Sequence, residues 1–300
     1  MKLLRFRLQF LLHFLRQPSA LAGVILLALA LAAALSANWL FPGDPLDMVA
    51  APYQWPGADG AYPLGTDLMG RDLLAGLFHG ARVSLYVGAT VAVIALVLGV
   101  LIGGIAGYFG GLIDQTLMAI TEFFQTVPPF LLAIILVAIL TPSLSTIVFA
   151  LGVTAWPGIA RLTRGEFIVL REREFVRASV ALGASDAHLI FIEILPNALT
   201  PILVSTALLV ANAILSEAAL SFLGLGDPNV VSWGSMVGTG REALRTAWYM
   251  IAVPGSAIAL TVLALNLLSD ALHAAFNPRL SRHRRADAAS RPEALEGSRP

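Results

Sequence analysis

EFVRASVALGASDAHLIFIEILPNALTP, residues 174–201, is the stretch on which the reading of the whole chain turns. It carries Glu174, Arg177, Asp186, His188 and Glu193, with Gly183 near its middle and Pro196 and Pro201 near its end. Before Arg161 on one side and beyond Pro201 on the other, the chain is apolar and almost uncharged. A charged helix–glycine–helix between segments built for lipid reads as a loop that leaves the membrane and meets something in water. Residues 166–182 favour one helix, Gly183 offers its stop, and Ser185 a fresh N-cap. A second short helix runs toward Leu195, and Pro196 closes it before the chain returns to the membrane. Ala178, Ala181 and Leu182 fall at i, i+3 and i+4, a narrow apolar stripe among charges. Such a ridge suits a groove on another soluble protein. Periodicity alone equally allows a helix lying on its own lipid surface.

Working outward, the 300 residues are 57% hydrophobic and only 13% charged, with a mean hydropathy of +0.80. Soluble domains carry roughly 25% charged residues, so this composition predicts an all-α integral membrane protein. Spans need roughly 20 apolar residues each. Six are expected, over 20–41, 83–108, 112–140, 144–160, 199–223 and 248–276. The first has an apolar core longer than a secretory signal's, so it reads as an uncleaved anchor. Pro128–Pro129 should kink the third. Gly99, Gly103 and Gly107, four residues apart, place small residues on one face of the second, where a neighbouring helix can come close.

Of the 19 cationic residues, fifteen fall in three groups. Lys2, Arg5, Arg7 and Arg16 lie before the first span. Arg161, Arg164, Arg171, Arg173 and Arg177 lie between the fourth and fifth, and the remaining six lie after residue 276. Cationic loops are retained in the cytoplasm. Residues 1–19, the loop 161–198 and the tail 277–300 are therefore expected inside, with 42–82 and 224–247 outside. Residues 83–276 would form a five-helix core containing the loop. The polar, Arg-rich end from 281 reads as disordered.

Several chemistries are excluded. Lys2 is the sole lysine, so no P-loop is present, since that motif needs a lysine after its glycines. Cysteine is absent, and the five histidines lie far apart, giving no metal-ligand spacing. No GxSxG elbow occurs. Zero net charge gives no footprint for nucleic acid. Intramembrane polar groups suggest function by default. Glu217 with Ser221 in the fifth span, and Asn266 with Asp270 in the sixth, are therefore candidate walls of a solute path. Glu217 bonded to a neighbouring helix, and Asp270 wet at a span end, are the alternatives. Gly65, Thr66, Asp67, Gly70, Arg71 and Asp72 form a further motif outside the spans, either a plug or platform or a self-contained turn held by its aspartates.

The opening stretch resembles the cytoplasmic "EAA…G…LP" loop of bacterial ABC importer permeases, with Gly183 at the glycine and Leu195–Pro196 at the expected distance. Three residues depart from the pattern: Arg177 for the initial Glu, Ser179 for the second Ala, and Glu193 for an Ile. YPLGTDLMGRDLLAGLFHGARVSLYVG (62–88), ILSEAALSFLGLG (214–226), SWGSM (232–236) and NLLSDALHAAFNPRL (266–280) resemble the C-type subunit of the dipeptide/oligopeptide/nickel permease family. The GDPNVVSWG link is shorter than the usual version.

The resemblance implies a type I ABC importer permease of the bacterial inner membrane. Its partners would be a B-type permease, two ABC ATPase subunits that use ATP and Mg, and an extracytoplasmic solute-binding protein. No cofactor is expected on this chain, and no catalysis. The loop would be the coupling helix, with Arg177, Ala178, Ser179, Leu182, Gly183, Ala184, Ser185, Leu195 and Pro196 as its docking residues. Short peptides are the expected cargo, with nickel or another small solute as the alternative. An ion-coupled secondary transporter would need paired broken helices, and only Pro128–Pro129 supplies a break.

Overall fold

The computed structural model describes residues 17–276. The cationic residues before position 17 and beyond 276, and the polar end from 281, lie outside the described residues. Ten α-helices occur among the described residues: α1 (Pro18–Leu40), α2 (Leu73–Phe109), α3 (Gly111–Thr126), α4 (Pro129–Leu140), α5 (Leu144–Arg171), α6 (Glu174–Ala181), the single turn α7 (Asp186–His188), α8 (Leu195–Leu220), α9 (Trp233–Gly240) and α10 (Tyr249–Phe276). Five stretches are long and apolar enough to cross a membrane, and α3 with α4, bent by 77°, is a broken sixth candidate. Among the described residues the fold is an all-α bundle of five to six candidate spans.

The boundaries differ from the expected ones for physical reasons. The second span's helix starts at Leu73, ten residues before 83, because Asp72 caps it, accepting from Leu74 N at 2.8 Å. His79 and Arg82 lower the hydropathy there, yet both are paired with the end of α1. His79 Nε2 lies 2.9 Å from the Phe41 carbonyl, and Arg82 Nη1 donates to Asn38 Oδ1 at 2.9 Å. The third span is two helices. A residue preceding proline is pushed out of the helical region, and Val127 and Pro128, each followed by a proline, have ψ of 132° and 126°. The fourth span's helix runs on to Arg171, where Arg164 Nη2 meets Asp114 Oδ2 at 2.6 Å and Arg171 Nη1 donates to the Tyr108 carbonyl at 2.6 Å.

Between α2 and α5 the glycine stripe acts as a packing surface. A Cβ on Gly99 would sit 2.6 Å from Ile159 Cβ, one on Gly107 2.7 Å from the Arg164 carbonyl oxygen, and one on Gly103 would overlap the Ala160 carbonyl. Alanine gains roughly 1 kcal/mol over glycine in a helix. Overpacking of this kind costs about 1–3 kcal/mol, so close approach wins. On the far side, α1 lies against α10 and α2, with Gly23 facing Ala264 and Leu268. Ser269 Oγ donates to the Val204 carbonyl at 3.2 Å, tying α10 to α8.

Candidate functional site

The loop is built as a docked hook. The spacing predicts one helix over 166–182, but the structure breaks it at Glu172–Arg173, where Arg173 is extended (ψ 147°). Phe167 and Val176 are nine residues apart, two and a half turns, and would face opposite ways on a straight helix. The break lets both join one buried cluster with Tyr108, Leu189 and Ile194. Val176 is the one buried side chain of α6. Arg177, Ala178 and Ala181 on that helix are exposed, as is Leu182 just past its end, at 89%. Gly183 turns the chain at φ +82°, with open space around it. Ser185 caps α7, accepting from His188 N at 3.4 Å. Ser179, Ala184 and Leu195 are half-buried beneath the ridge.

Pro196 does not close a helix. The chain stays helical from Asp186 through Pro196 as far as Leu223, before the turn at Gly224 (φ +83°), and passes through a widened π-helical stretch over Leu189–Ile194. That widening makes room for the proline ring, which would clash with the preceding turn of a regular helix.

Three contacts stiffen the hook. Tyr108 Oη donates to Asp186 Oδ1 at 2.6 Å, joining the end of α2 to the loop. Ser179 Oγ donates to Glu193 Oε1 at 3.2 Å. Arg177 Nη2 donates to Glu172 Oε2 at 2.5 Å, and this hydrogen bond holds the exposed Glu172 carboxyl below the usual carboxylate range. Sequence reasoning missed Tyr108 and Asp186 as partners. They are 78 residues apart, and the sole local sign was a tyrosine at a span end.

At the other end of the bundle, residues 49–72 form a clasp. Asp67 Oδ1 accepts from Met69 N at 2.7 Å and Arg71 N at 2.9 Å, a self-contained turn. Thr66 Oγ1 donates to the Ala51 carbonyl at 2.7 Å and accepts from Gln54 N at 3.0 Å. Gly65 and Gly70 have φ of +77° and +79°, and a Cβ on either would overlap a carbonyl of the 50–54 segment. Tyr249 Oη, at the start of α10, lies 2.9 Å from the Gln54 carbonyl and 3.1 Å from that of Thr66. Tyr249 thereby ties the clasp to α10 through Thr66, and Asp72 opens α2.

Of the intramembrane candidates, Glu217 and Ser221 are brought together and the sixth-span pair is not brought to them. Glu217 is 2% exposed. It accepts from Ser221 Oγ at 2.8 Å, Ser232 Oγ at 2.6 Å and, more loosely, Ser84 Oγ at 3.4 Å. These hydroxyls come from α2, the end of α8 and the cap of α9, so the carboxyl ties three elements. Asn266 is half-buried and Asp270 exposed, one turn apart on α10.

Comparison with known proteins is consistent with this architecture. Residues 99–282 match the family described as binding-protein-dependent transport system inner membrane component. The chain is 38% identical over 273 residues to the di/tripeptide transport system permease protein DppC of Pseudomonas aeruginosa, covering 89% of this chain and 90% of that one. It is 42% identical over 274 residues to the dipeptide transport system permease protein DppC of Escherichia coli K12, covering 89% and 91%. Among solved structures it is similar to an inward-facing form of the MetNI methionine ABC transporter, with a TM-score of 0.54 and 20% identity, over 67% of this chain and 96% of that one. That likeness establishes the shared fold. With five spanning stretches and a sixth bent pair, the permease resemblance read from the sequence is borne out, and this chain belongs to the family of inner membrane components of binding-protein-dependent transport systems.

Proposed function

We propose that the chain forms half of the membrane path of an ATP-driven ABC importer for short peptides. The observation that carries this reading is the exposed ridge of Ala178, Ala181 and Leu182, held out on a hook whose inner side is anchored by Val176 and Tyr108. An apolar ridge held rigidly in water gains by burial in a partner's groove. The cationic groups around it support a cytoplasmic position, with both termini on the same side. The partner is then an ATPase subunit that binds ATP and Mg, since no lysine is available here for a P-loop. A second, B-type permease completes the path, and a solute-binding protein meets the clasp around Asp67 and Asp72. Arg177, Ser179, Gly183, Ala184, Ser185, Leu195 and Pro196 shape the docking hook. Glu217, Ser221, Asn266 and Asp270 act in the spans. The peptide cargo rests on the relatives named above, whose descriptions specify dipeptides and tripeptides.

The test is reconstitution of the complex isolated in mild detergent from native membranes. The expected preparation contains a Walker-motif ATPase and a second permease, and accumulates labelled dialanine when ATP and the binding protein are present. Isolation of the chain alone, under conditions that preserve other complexes, would refute the assembly. Accumulation of nickel in place of dialanine would replace the cargo.

A further inference from the structure

We infer that a groove among α2, α3, α4, α5 and α8 is the part of the solute path that holds a peptide by its main chain, an inference that rests on the importer reading above. The groove has a volume of about 290 Å³, and its lining includes Gln125, Pro129, Thr154, Gly158, Asn212 and Ser216. A single water needs roughly 10–15 Å³ on the same measure, so the space admits a solute.

Two independent features mark it. The first is that four uncharged polar side chains, on α3, α5 and α8, converge on one concavity. Most hydroxyls in these spans are spent on their own helix, as Thr116, Thr121, Ser205 and Thr206 are at i−4. Gln125, Asn212 and Ser216 instead make no side-chain hydrogen bond among the described residues. Polar groups left unpaired in a span are costly unless they face water or a ligand. The second feature is the break at Val127–Pro128, which opens onto the same groove through Gln125 and Pro129. Interrupted backbone at membrane depth is tolerated only where it is covered by protein or lines a cavity.

The chemistry selects the occupant. Two carboxamides and the Ser216 hydroxyl each donate and accept, as peptide N–H and C=O groups require, while Thr154 Oγ1 donates to the Leu151 carbonyl at 3.1 Å and keeps only its accepting capacity. No charged residue lines the groove among the described residues. Such a lining discriminates little between side chains and suits any short peptide. Ser216 is the neighbour of Glu217. The carboxyl turns inward to its serines while the hydroxyl faces the groove.

The chain contains no cysteine, so single thiols can be placed without background. Asn212→Cys, Ser216→Cys and, on the opposite face of α8, Leu203→Cys are made in the complete complex in nanodiscs, and modification by a membrane-impermeant cationic thiosulfonate is followed on this chain. The two groove thiols should react roughly ten times faster than the Leu203→Cys control, because a thiol facing lipid or protein is not available as thiolate. Saturating dialanine with binding protein should slow both about five-fold, the level expected when a bound ligand occludes most of a pocket's surface. Groove thiols that stay unreactive in every nucleotide state, or react equally with and without dialanine, overturn the inference. Dialanine uptake by the unaltered complex, reconstituted in sealed vesicles, is measured alongside. If uptake is present without protection, this inference fails alone, and if uptake is absent, the peptide reading fails with it.

Discussion

Ser179 Oγ donates to Glu193 Oε1 at 3.2 Å, and these are two of the three positions at which the loop departs from the Ala and Ile of the pattern it resembles. The departures compensate each other across the hook: a hydroxyl and a carboxylate meet where two apolar side chains would have packed. His188 Nε2 lies 3.6 Å from the same carboxylate oxygen, outside hydrogen-bonding range.

This pairing predicts non-additivity. Ser179→Ala leaves a half-buried carboxylate without its hydroxyl donor and should lower stability by about 1 kcal/mol, less than a buried charged hydrogen bond because water still reaches the site. Ser179→Ala with Glu193→Ile restores an apolar contact and should recover most of the loss. Thermal unfolding of the purified complex measures both. A double variant as unstable as the sum of the two single ones would show that the residues do not act together.

The contact of Tyr108 with Asp186 ties the loop to α2, so its loss should loosen transmission more than folding. Tyr108→Phe keeps the ring in its buried cluster and removes one hydrogen bond, worth about 1–1.5 kcal/mol. The complex should assemble and hydrolyse ATP while moving several-fold fewer peptides per ATP, a ratio obtained by measuring both rates in one vesicle preparation. Unchanged stoichiometry would mean that the loop is held adequately by its remaining contacts.

Leu182 and Gly183 test the docking face itself. Because Leu182 is 89% exposed, Leu182→Asp should change stability by less than about 0.5 kcal/mol. It should nevertheless abolish capture of the ATPase subunit, since a charge would enter an apolar groove. Gly183→Asp adds left-handed backbone strain of roughly 1–2 kcal/mol, leaves membrane insertion intact and removes transport. Wild-type uptake by either variant would disprove the docking assignment.

What could be read from sequence depended on whether the cause was local. The spans follow from runs of apolar residues, and the break in the third from Pro128–Pro129, both visible in single segments. The early start of α2 was hidden because His79 and Arg82 look foreign to a span, and their partners, Phe41 and Asn38, lie about forty positions away. The continuous helix through Pro196 depends on a widened turn that no residue pattern announces. In the candidate site, Gly183 and Ser185 were legible as a stop and a cap, while the Tyr108 anchor required knowing that α2 ends beside the loop. A carboxylate in a span, with any polar residue one turn from it, stands out in sequence because its charge is costly in lipid, whereas Asn212 and Ser216 carry no such sign. The fold, not the sequence, determines which of them face inward.

Glu217 itself allows a decisive comparison between a clasp within the bundle and a wall of the path. Its carboxyl receives hydroxyls from Ser221 and Ser232 at 2.8 and 2.6 Å, and Trp233 N in turn donates to Ser84 Oγ at 3.2 Å, extending the network into α9. Glu217→Ala would strand these hydroxyls and open a cavity, at a cost of about 2–5 kcal/mol, enough to prevent assembly of the complex. Glu217→Gln retains the volume and one accepting oxygen, and its amide can donate to a rotated serine hydroxyl. A clasp therefore predicts that Glu217→Gln folds with a small loss of thermal stability and transports dialanine near the wild-type rate. A residue that meets the solute through its charge predicts the reverse, an intact and stable complex whose uptake falls sharply. Melting temperature and uptake measured on the same preparation separate the two, and the near-complete burial of the carboxyl among three serines favours the first.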